Sequence, residues 1–484
     1  MDYRFIAFVN GIMLFILSGA LAFIGFAGSL EAGSGGEAFY GAAFTTLFFG
    51  GLLFFGNRGG HHDKINIRTG YLLTVSSWMT VALFSTLPLY YSKLGLSFTD
   101  SVFETVSALT TTGSTVLSGL DTLPHDILLW RSLLQWMGGI GIVVMALAVL
   151  PFLRVGGMNL FKSESSDISE KIISRLDYFV KVTLGIYLFF TMLCALLLRL
   201  AGMSWFDAVN HAMTTISTGG FSTHDASVGY FNSPLIEAII VFFMIAGSLP
   251  LVMYAHLLFS SRESFSLQRY TQVSTFFKVL LAVTAVLAVW NWAANSMTLT
   301  YAFRVSIFNV ASILSSTGYG TSDFSKWGDF AACTFFFLFF VGGCAGSTTG
   351  AVKIFRWQLL FRGLHANFLR NLSPNRIVDV RYAGKIVEDR VMHGVRNFIF
   401  LYALTVVFFS LAVTACGVDF VTGVSGVAQA IGSMGPGIGD VIGPAGNFAS
   451  LPSTAKWLLA FVMILGRLEL FTVFALMMPD FWRR

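Results

Sequence analysis

Ser316-Thr317-Gly318-Tyr319-Gly320 stands between two apolar segments, and three similar polar strings occur elsewhere in the chain. They are Thr111-Thr112-Gly113-Ser114, Ser217-Thr218-Gly219-Gly220 and Ser433-Met434-Gly435-Pro436-Gly437. Each string follows a moderately apolar segment too short to cross a bilayer as a helix, and precedes a longer apolar segment. This order predicts four units, each built of a helix, a half-length re-entrant helix, a polar string and a second helix.

Backbone that is not helical is stable at membrane depth only where protein covers it or where it lines a water-filled path. Potassium-channel filters use rings of backbone carbonyls, and their string Thr-Val-Gly-Tyr-Gly differs from the string at 316–320 at two positions. A single Thr-Gly pair is a common turn signal, so the prediction of a cation filter depends on the four copies together. The predicted filter residues are Thr111, Thr112, Gly113, Thr218, Gly219, Thr317, Gly318, Met434 and Gly435. Because Met434 lacks a hydroxyl, we expect only approximate four-fold symmetry.

Composition places the chain in a membrane. Of its 484 residues, 55% are hydrophobic and 11% are charged, which is too little polar surface for a water-soluble globule of this size. The net charge of +5 comes from basic residues that concentrate in particular loops, a pattern of membrane topology rather than of nucleic-acid binding. We therefore predict an all-α polytopic membrane protein that contacts lipid and binds no nucleic acid.

Apolar runs long enough to cross the hydrocarbon core occur ten times. They cover residues 5–28, 38–56, 70–91, 127–151, 178–201, 234–259, 275–296, 328–360, 394–416 and 453–478. The first run is longer than the core of a signal peptide, so we interpret it as a retained helix. The half-length segments that end at the strings cover 98–112, 205–218, 302–317 and 420–434.

Basic residues fix the predicted orientation. They cluster in the loops at 57–69, 152–177 and 361–393 and at the C-terminus, whereas the opposite loops are mostly acidic. The positive-inside rule therefore predicts that both termini are cytoplasmic and that every string opens outward. The basic loops are either docking sites for a cytoplasmic partner or topology signals alone.

The predicted organisation consists of an N-terminal helix pair followed by the four units. The boundaries are 1–69, 70–177, 178–274, 275–393 and 394–484. String glycines Gly113, Gly219, Gly318 and Gly435 keep a regular spacing, as expected for internal repeats. Nine residues before these glycines stand Glu104, Asn210, Asn309 and Gly426. Three of these four residues are polar, and we predict that they brace the strings, the alternative being independently satisfied buried groups.

The second helix of the third unit is interrupted by a run rich in glycine and hydroxyl residues. Glycine is unfavourable in a helix interior by about 0.8–1 kcal/mol relative to alanine, so the run predicts an unwound segment at 342–350 that faces a cavity. We interpret this segment as a mobile gate, the alternative being close packing of small residues. The predicted gate residues are Gly342, Gly343, Gly346, Ser347, Thr348, Thr349, Gly350 and Arg467.

Arg467 is predicted about midway along the last span, where an ionised arginine is unfavourable by about 2.5–3.5 kcal/mol. Glu469 is only two residues away and points elsewhere on a helix, so carbonyls of the segment at 342–350 are the expected acceptors. A fixed positive charge below a cation filter would also oppose conduction. A purely structural ion pair is the alternative.

Other polar residues carry weaker signals. We predict that His61-His62-Asp63 is a solvated loop rather than a metal site, and that His211 is a hydrogen-bonded core imidazole. Asp100 and Asp207 are predicted helix caps. The acidic residues that follow three of the strings either enrich cations at an outer mouth or end turns, and they are Asp225, Asp323 and Asp440.

Together with Gly342–Lys353 and Gly466-Arg467-Leu468-Glu469, the four strings resemble those of the TrkH/KtrB potassium uptake proteins of bacteria. The resemblance covers nearly the whole chain, and the two additional N-terminal helices make it most like the Trk branch. It implies a pore with pseudo-four-fold symmetry that carries K⁺, a homodimer in the bacterial inner membrane, and a cytoplasmic nucleotide-binding regulatory subunit of the RCK type, like TrkA. It implies no organic cofactor on this chain.

Two other functions remain open from the residues. One is sodium-coupled or sodium-permeable uptake, although glycine at all four string positions goes with potassium selectivity in the family that the chain resembles. The other is an intramembrane enzyme that uses His211, His256 and the intramembrane acidic residues. Because the sequence offers no paired carboxylates, no nucleophile with a base and no metal triad, we predict that the protein is not an enzyme.

Overall fold

The computed structural model describes residues 1–30, 36–59, 66–148, 176–259 and 270–483, and the described chain is almost entirely helical. The predicted all-α membrane architecture is confirmed. The cluster His61-His62-Asp63 and nearly all of the basic loop at 152–177 lie outside the described residues.

Two N-terminal helices, α1 (Tyr3–Ser29) and α2 (Gly36–Asn57), pack along each other. Their backbones approach closely because glycine lies at the contact: a Cβ on Gly11 would stand 2.7 Å from the backbone nitrogen of Phe54. The pair shares one buried apolar cluster with the helices of the first unit.

The first two units follow. The first contains α3 (Ile67–Ser85), α4 (Leu87–Tyr91), the half-length helix α5 (Phe98–Leu109) and α6 (His125–Ala148). The second contains α7 (Leu176–Leu200), the half-length helix α8 (Trp205–Ile216), α9 (Pro234–Ser248) and α10 (Leu251–Phe259).

The last two units have the same order of elements. The third contains α11 (Thr271–Ala294), the half-length helix α12 (Leu299–Leu314), α13 (Asp329–Leu338) and α14 (Ile354–Leu372). A two-stranded hairpin, β1 (Arg381–Tyr382) with β2 (Lys385–Ile386), leads to the fourth unit. That unit contains α15 (Asp389–Ala415), the half-length helix α16 (Phe420–Gly432), α17 (Ser453–Arg467), α18 (Phe471–Met477) and α19 (Pro479–Trp482).

Three of the four half-length helices, α5, α8 and α16, begin at a residue whose side chain caps the helix. Ser97 accepts a hydrogen bond from the backbone nitrogen of Asp100, and Ser204 accepts one from that of Asp207. The N-caps of α5 and α8 are therefore these serines. Asp100 and Asp207 lie three residues later, where each carboxylate accepts a bond from the serine hydroxyl. The prediction that the aspartates themselves are the caps was wrong by this offset.

Three predicted spans are broken. The span at 234–259 bends by 92° between α9 and α10, at Pro250, which cannot donate the backbone bond that a continuous helix needs. The span at 453–478 bends by 113° between α17 and α18, so Arg467 ends a helix instead of lying midway along a span. The span at 328–360 is helical only up to Leu338 and again from Ile354.

The outer surface of the bundle is apolar. Six helices, or eight if each bent pair is one span, are long and apolar enough to cross a membrane among the described residues. Large side chains on them point away from the protein, as expected where lipid is the solvent, and they include Phe23, Phe44, Phe55, Phe189, Phe242, Phe400 and Phe408. The chain is a multi-pass membrane protein.

Candidate functional site

The four strings have one backbone conformation in common. The first residue of each has a positive φ, if the second string is counted from Thr218, and the values are 54° at Thr111, 53° at Thr218, 52° at Ser316 and 53° at Ser433. A glycine with positive φ follows two residues later, and these glycines are Gly113, Gly220, Gly318 and Gly435. The counterpart of Gly113 in the second string is therefore Gly220, and the predicted alignment on Gly219 is wrong by one residue.

Backbone hydrogen bonds show the same register. The middle residue of each string donates its N–H to the carbonyl five residues earlier, inside the half-length helix, at 2.8–3.0 Å. These donors are Thr112, Gly219, Thr317 and Met434. Each half-length helix thus runs directly into its string, and its C-terminal end, the negative end of the helix dipole, lies next to the string.

The strings form a closed ring. A Cβ on Gly113 would overlap the carbonyl oxygen of Gly219, and one on Gly220 would overlap that of Thr317. A Cβ on Gly318 would overlap the Met434 oxygen, and one on Gly435 would stand 3.1 Å from the Thr112 oxygen. Each glycine therefore faces the middle carbonyl of the next string, in the order first, second, third, fourth, first. No side chain fits at these four positions.

Below these carbonyls each string carries a buried hydroxyl, on Thr111, Thr218, Ser316 and Ser433. In the observed register the fourth string therefore keeps a hydroxyl, at Ser433, although Met434 has none. The hydroxyls of Thr111 and Ser433 have no hydrogen-bond partner in the protein. Buried hydroxyls without a partner are expected where water or an ion completes the site.

Polar side chains of the half-length helices bond to residues that come one or two positions after three of the strings. Glu104 accepts bonds from the Thr115 hydroxyl at 2.9 Å and the Val116 nitrogen at 2.9 Å, and Asn309 donates to the Thr321 hydroxyl at 3.2 Å. In the second unit the brace is His211, whose Nε2 lies 3.0 Å from the Ser222 hydroxyl.

The prediction that Asn210 braces the second string was wrong. Its amide nitrogen donates to Phe206 within its own helix, and the shift of one residue in the string moves the bracing role to His211. Gly426 has no side chain to contribute. The hydroxyl of its neighbour Ser425 accepts from the Ile438 nitrogen instead, at 3.1 Å.

Arg131 is a buried cation that the sequence analysis did not single out. Its Nε donates to Glu104 at 2.7 Å, Nη2 donates to the Thr115 hydroxyl at 3.1 Å, and its guanidinium lies 4.1 Å from the centre of the Phe221 ring. Both members of the Arg131–Glu104 pair are almost fully buried. The pair links the segments that follow the first and second strings. In the sequence, an arginine inside the apolar span 127–151 was the signal that could have revealed this pair.

The segment at 342–350 lies directly against the strings. The Thr218 hydroxyl donates to the Thr348 hydroxyl at 3.1 Å, and the Gly350 nitrogen donates to the Ser316 hydroxyl at 2.7 Å. A Cβ on Gly350 would overlap the carbonyl oxygen of Gly432, the last residue of α16, and would stand 3.0 Å from the Cβ of Ser433 in the fourth string. The predicted gate residues thus contact three of the four strings.

The break between α9 and α10 supplies partners for this segment. The carbonyls of Gly247 and Ser248 accept from the nitrogens of Thr348 and Cys344, at 3.3 and 3.0 Å, and the nitrogen of Leu251 donates to Gly346. A continuous helix would have used these groups internally. The bend at Pro250 therefore provides hydrogen-bond partners for backbone groups of the non-helical segment.

Two cations hold consecutive carbonyls of the segment. Arg467 is buried and donates from Nη1 to the Thr348 oxygen at 2.9 Å and from Nη2 to the Gly138 oxygen at 3.3 Å. Lys353 donates to the Thr349 carbonyl and, at 2.8 Å, to the Thr349 hydroxyl. The expected carbonyl acceptor of Arg467 is therefore present. Both cations line a cavity of about 40 Å³ next to the segment.

Glu469 pairs with a different arginine. Its carboxylate accepts from Nη2 of Arg356 at 2.5 Å, and the Arg356 guanidinium lies 3.8 Å from the centre of the Phe398 ring. Glu469 has a positive φ of 60°, a conformation that is unfavourable for a residue with a side chain. The chain turns sharply there, directly after the end of α17, and Arg467 and Glu469 therefore contact different partners.

A polar cluster joins the loops after the first and second strings. His224 Nδ1 lies 2.5 Å from Asp121, its Nε2 lies 3.4 Å from Asp207, and its ring stacks on Tyr230. Partial burial lowers the pKa of His224, but the bonds to the two aspartates outweigh this effect and raise the pKa above its usual value. The bond from His224 lowers the pKa of Asp121.

The three acidic residues after the strings differ in their surroundings. Asp225 accepts from the Leu120 nitrogen, and Asp323 caps a short turn at Ser325. Asp440 is exposed. The turn-forming alternative therefore holds for Asp323, whereas Asp225 joins two loops. Among the described residues, no three His, Cys, Asp or Glu side chains group as metal ligands, and the oxygen donors of the site are the string carbonyls and hydroxyls.

Comparisons with known proteins agree with this geometry. Residues 35–483 match the TrkH family, described as cation transport protein. The chain is 45% identical to the Trk system potassium uptake protein TrkI of Halomonas elongata, covering 86% of this chain and 84% of the relative. It is 37% identical to TrkH of Salmonella typhimurium over the full length of both. The crystal structure of the potassium transporter TrkH from Vibrio parahaemolyticus matches with a TM-score of 0.89 and 34% identity, over the full length of both chains.

Proposed function

Because the chain belongs to the TrkH family of cation transport proteins, we propose that it carries potassium across the membrane through the ring of its four strings. The observation that carries this proposal is the closed succession in which each string glycine faces the middle carbonyl of the next string. Carbonyl oxygens at such positions replace the hydration shell of an alkali cation. The two unpaired hydroxyls of Thr111 and Ser433 supply further oxygen ligands below them.

Helix dipoles support a cation at this place. All four half-length helices end where their strings begin, so their C-terminal ends converge on the ring. Each end carries roughly half a negative charge, which favours a cation and disfavours an anion. The ring therefore needs no acidic side chain to attract potassium.

We further propose that residues 342–350 and Arg467 form the gate. The segment lies against the strings, and the positive charge of Arg467 is fixed at its Thr348 carbonyl. Steric obstruction and charge repulsion then act together against a cation. Opening requires the segment to exchange its bonds to Thr218 and Ser316 for other partners.

The cytoplasmic side offers a route for control of this gate. The hairpin at 381–386 and α14 share one buried apolar cluster with Ala345 of the gate, through Tyr382, Val387, Phe355 and Leu359. Exposed basic side chains surround the hairpin, and they are Arg362, Arg370, Arg376, Arg381, Lys385 and Arg390. We propose that an RCK-type regulatory subunit docks there, that the chain forms a homodimer in the bacterial inner membrane, and that both termini are cytoplasmic.

Flux measurements test the transport function. The purified protein in liposomes should admit rubidium, a potassium substitute, much faster than sodium, and potassium should compete with rubidium. Comparable entry of sodium would favour the sodium-permeable alternative. Absence of any ion flux, with or without a cytoplasmic partner, would overturn the proposal. Deletion of Gly346–Thr348 tests the gate separately, because it should raise basal rubidium entry if the segment obstructs the path.

A further inference from the structure

The second string lacks a side chain where the other three have one. Its middle residue is Gly219, whereas the equivalent residues Thr112, Thr317 and Met434 carry side chains that are fully buried. Gly219 does not have a positive φ, so its backbone conformation does not explain the choice of glycine. The reason must lie in what occupies the space next to it.

Gln135 of α6 occupies that space. A Cβ on Gly219 would stand 2.5 Å from Oε1 and 2.9 Å from Nε2 of Gln135, and its three nearest neighbours would all be atoms of this side chain. Gln135 is itself fully buried. Its amide therefore fills the volume that the side chain of the middle residue fills in the other strings.

Both ends of the amide are bonded to the second string. Nε2 donates to the Gly219 carbonyl at 2.7 Å, and Oε1 accepts from the Phe221 nitrogen at 3.0 Å. The two bonds lie on either side of Gly220, the glycine that faces the third string. Because donor and acceptor are both used, the amide fixes the orientation of the Gly219 carbonyl.

The corresponding helices of other units carry an apolar side chain at this place. Gly138, Gly247 and Gly466 are equivalent, because a Cβ on each would meet a carbonyl in the last turn of a half-length helix, that of Leu109, Ile216 and Ile431 respectively. Three residues earlier stand Gln135, Met244 and Met463, all fully buried. Among these three helices, a polar group therefore stands behind a string only in the first unit.

We propose that Gln135 is a positioning residue that sets the ion selectivity of the ring by holding the Gly219 carbonyl. This inference rests on the proposed function. Selection between potassium and sodium depends on the number, field strength and freedom of the coordinating carbonyls, and a donor bonded to one of the four restricts its movement and reduces its field. Gln135 thus makes the second position of the ring chemically distinct from the others.

The test compares ion selectivity in purified variants. Gln135→Met, which copies the second and fourth units, and Gln135→Ala should each lower the rubidium-to-sodium permeability ratio by on the order of tenfold, because two backbone groups lose their partner. Met463→Ala removes a side chain at the matched position without removing a hydrogen bond, and it should keep the wild-type ratio. Elution as a single species from size-exclusion chromatography checks folding.

A compensating pair sharpens the test. Gly219→Thr alone should lower the ratio, because its side chain overlaps that of Gln135. The double variant Gln135→Ala with Gly219→Thr gives the second string the same middle residue as the first and third strings. If the two side chains occupy the same volume, the rubidium-to-sodium permeability ratio of the double variant should recover to within about threefold of the wild-type ratio.

The proposal is overturned if folded Gln135→Met and Gln135→Ala both keep the wild-type permeability ratio. It is also overturned if the effects of Gln135→Ala and Gly219→Thr simply add in the double variant. Failure of the transport function itself would look different, since wild-type protein would then show no selective rubidium entry.

Discussion

The ring of strings and the segment at 342–350 touch each other but are built differently. The ring uses one backbone conformation four times, with its hydrogen bonds running back into the half-length helices. The segment occurs in the third unit, and many of its bonds go to side chains and helix ends of other units, such as Gly247, Thr218 and Arg467. Local backbone bonds preorganise the ring, whereas the movement that the proposed gate requires would exchange contacts between units.

The largest expected effect is on the ring, from Glu104→Gln. This change leaves Arg131 buried without its counter-charge, and loss of one partner of a buried pair destabilises by about 3–5 kcal/mol. We expect a marked fall in the midpoint of thermal unfolding in detergent. Glu237→Gln is the matched control, because Glu237 is buried like Glu104 but its partner Arg304 is 28% exposed, so water can solvate the charge left behind and the fall should be smaller.

If Glu104→Gln and Glu237→Gln lower the midpoint of thermal unfolding equally, the ring depends on its buried ion pair no more than the Glu237–Arg304 region depends on its own pair. The contrast between a preorganised ring and exchangeable contacts would then lose its energetic basis.

Next in size is the effect of Arg467→Ala on the segment. Removal of a charged donor from the Thr348 carbonyl forfeits about 1.5–3 kcal/mol, equivalent to roughly 10–100-fold in the gating equilibrium. Basal rubidium flux without a partner should rise by that order, with an unchanged rubidium-to-sodium ratio because the ring is intact. Arg304→Ala serves as control and should leave basal flux unchanged. A lower or unchanged basal rubidium flux in Arg467→Ala would mean that this residue has a structural role and does not restrain the gate.

The sequence predicted the repeated part of the molecule better than the unrepeated part. Four strings behind half-length helices were visible because the same pattern recurs, and even the starts of α5, α8 and α16 were predicted to the residue. The bend at Pro250 was not predicted. The backbone carbonyls that it frees accept hydrogen bonds from Cys344 and Thr348, about a hundred residues away in the sequence, and no local pattern shows this.

The register of the second string could not be predicted from the sequence either. Gly219 and Gly220 are adjacent, and only the fold shows that one needs a positive φ while the other makes room for Gln135. The same shift explains why Asn210 was predicted in place of His211 as a brace. Contacts such as these join residues of different units, and no local pattern encodes them.

A smaller effect should distinguish the two glycines. Gly220→Ala places a Cβ on the Thr317 carbonyl at a positive φ, a conformation unfavourable by about 1–2 kcal/mol for a residue with a side chain. We expect the rubidium-to-sodium permeability ratio to fall about tenfold. Gly185→Ala in α7, where a Cβ would meet nothing within 4 Å, is the control. A wild-type ratio in Gly220→Ala would restore the register that the sequence predicted.

The smallest expected effect concerns the loops that follow the first and second strings, where His224 bonds to Asp121 and lies 3.4 Å from Asp207, with Asp225 and His211 close by. The pKa of His224 is raised, so its stabilising charge is fully present below about pH 6.5 and is lost as pH rises through the raised value. The pKa of Asp121 is lowered, so its contribution is present above about pH 4 and is lost as pH falls. Because Asp121 is 42% exposed, the pair should contribute no more than about 1 kcal/mol.

Thermal unfolding of wild type and His224→Gln across pH 5–9 measures this contribution. The difference between them should be largest between about pH 5 and 6.5 and should shrink toward pH 9, and Asp121→Asn should remove most of it. Rubidium flux is expected to change little, because the cluster lies outside the string carbonyls. A stability difference independent of pH would mean that His224 acts through its stacking on Tyr230 and not through its charge.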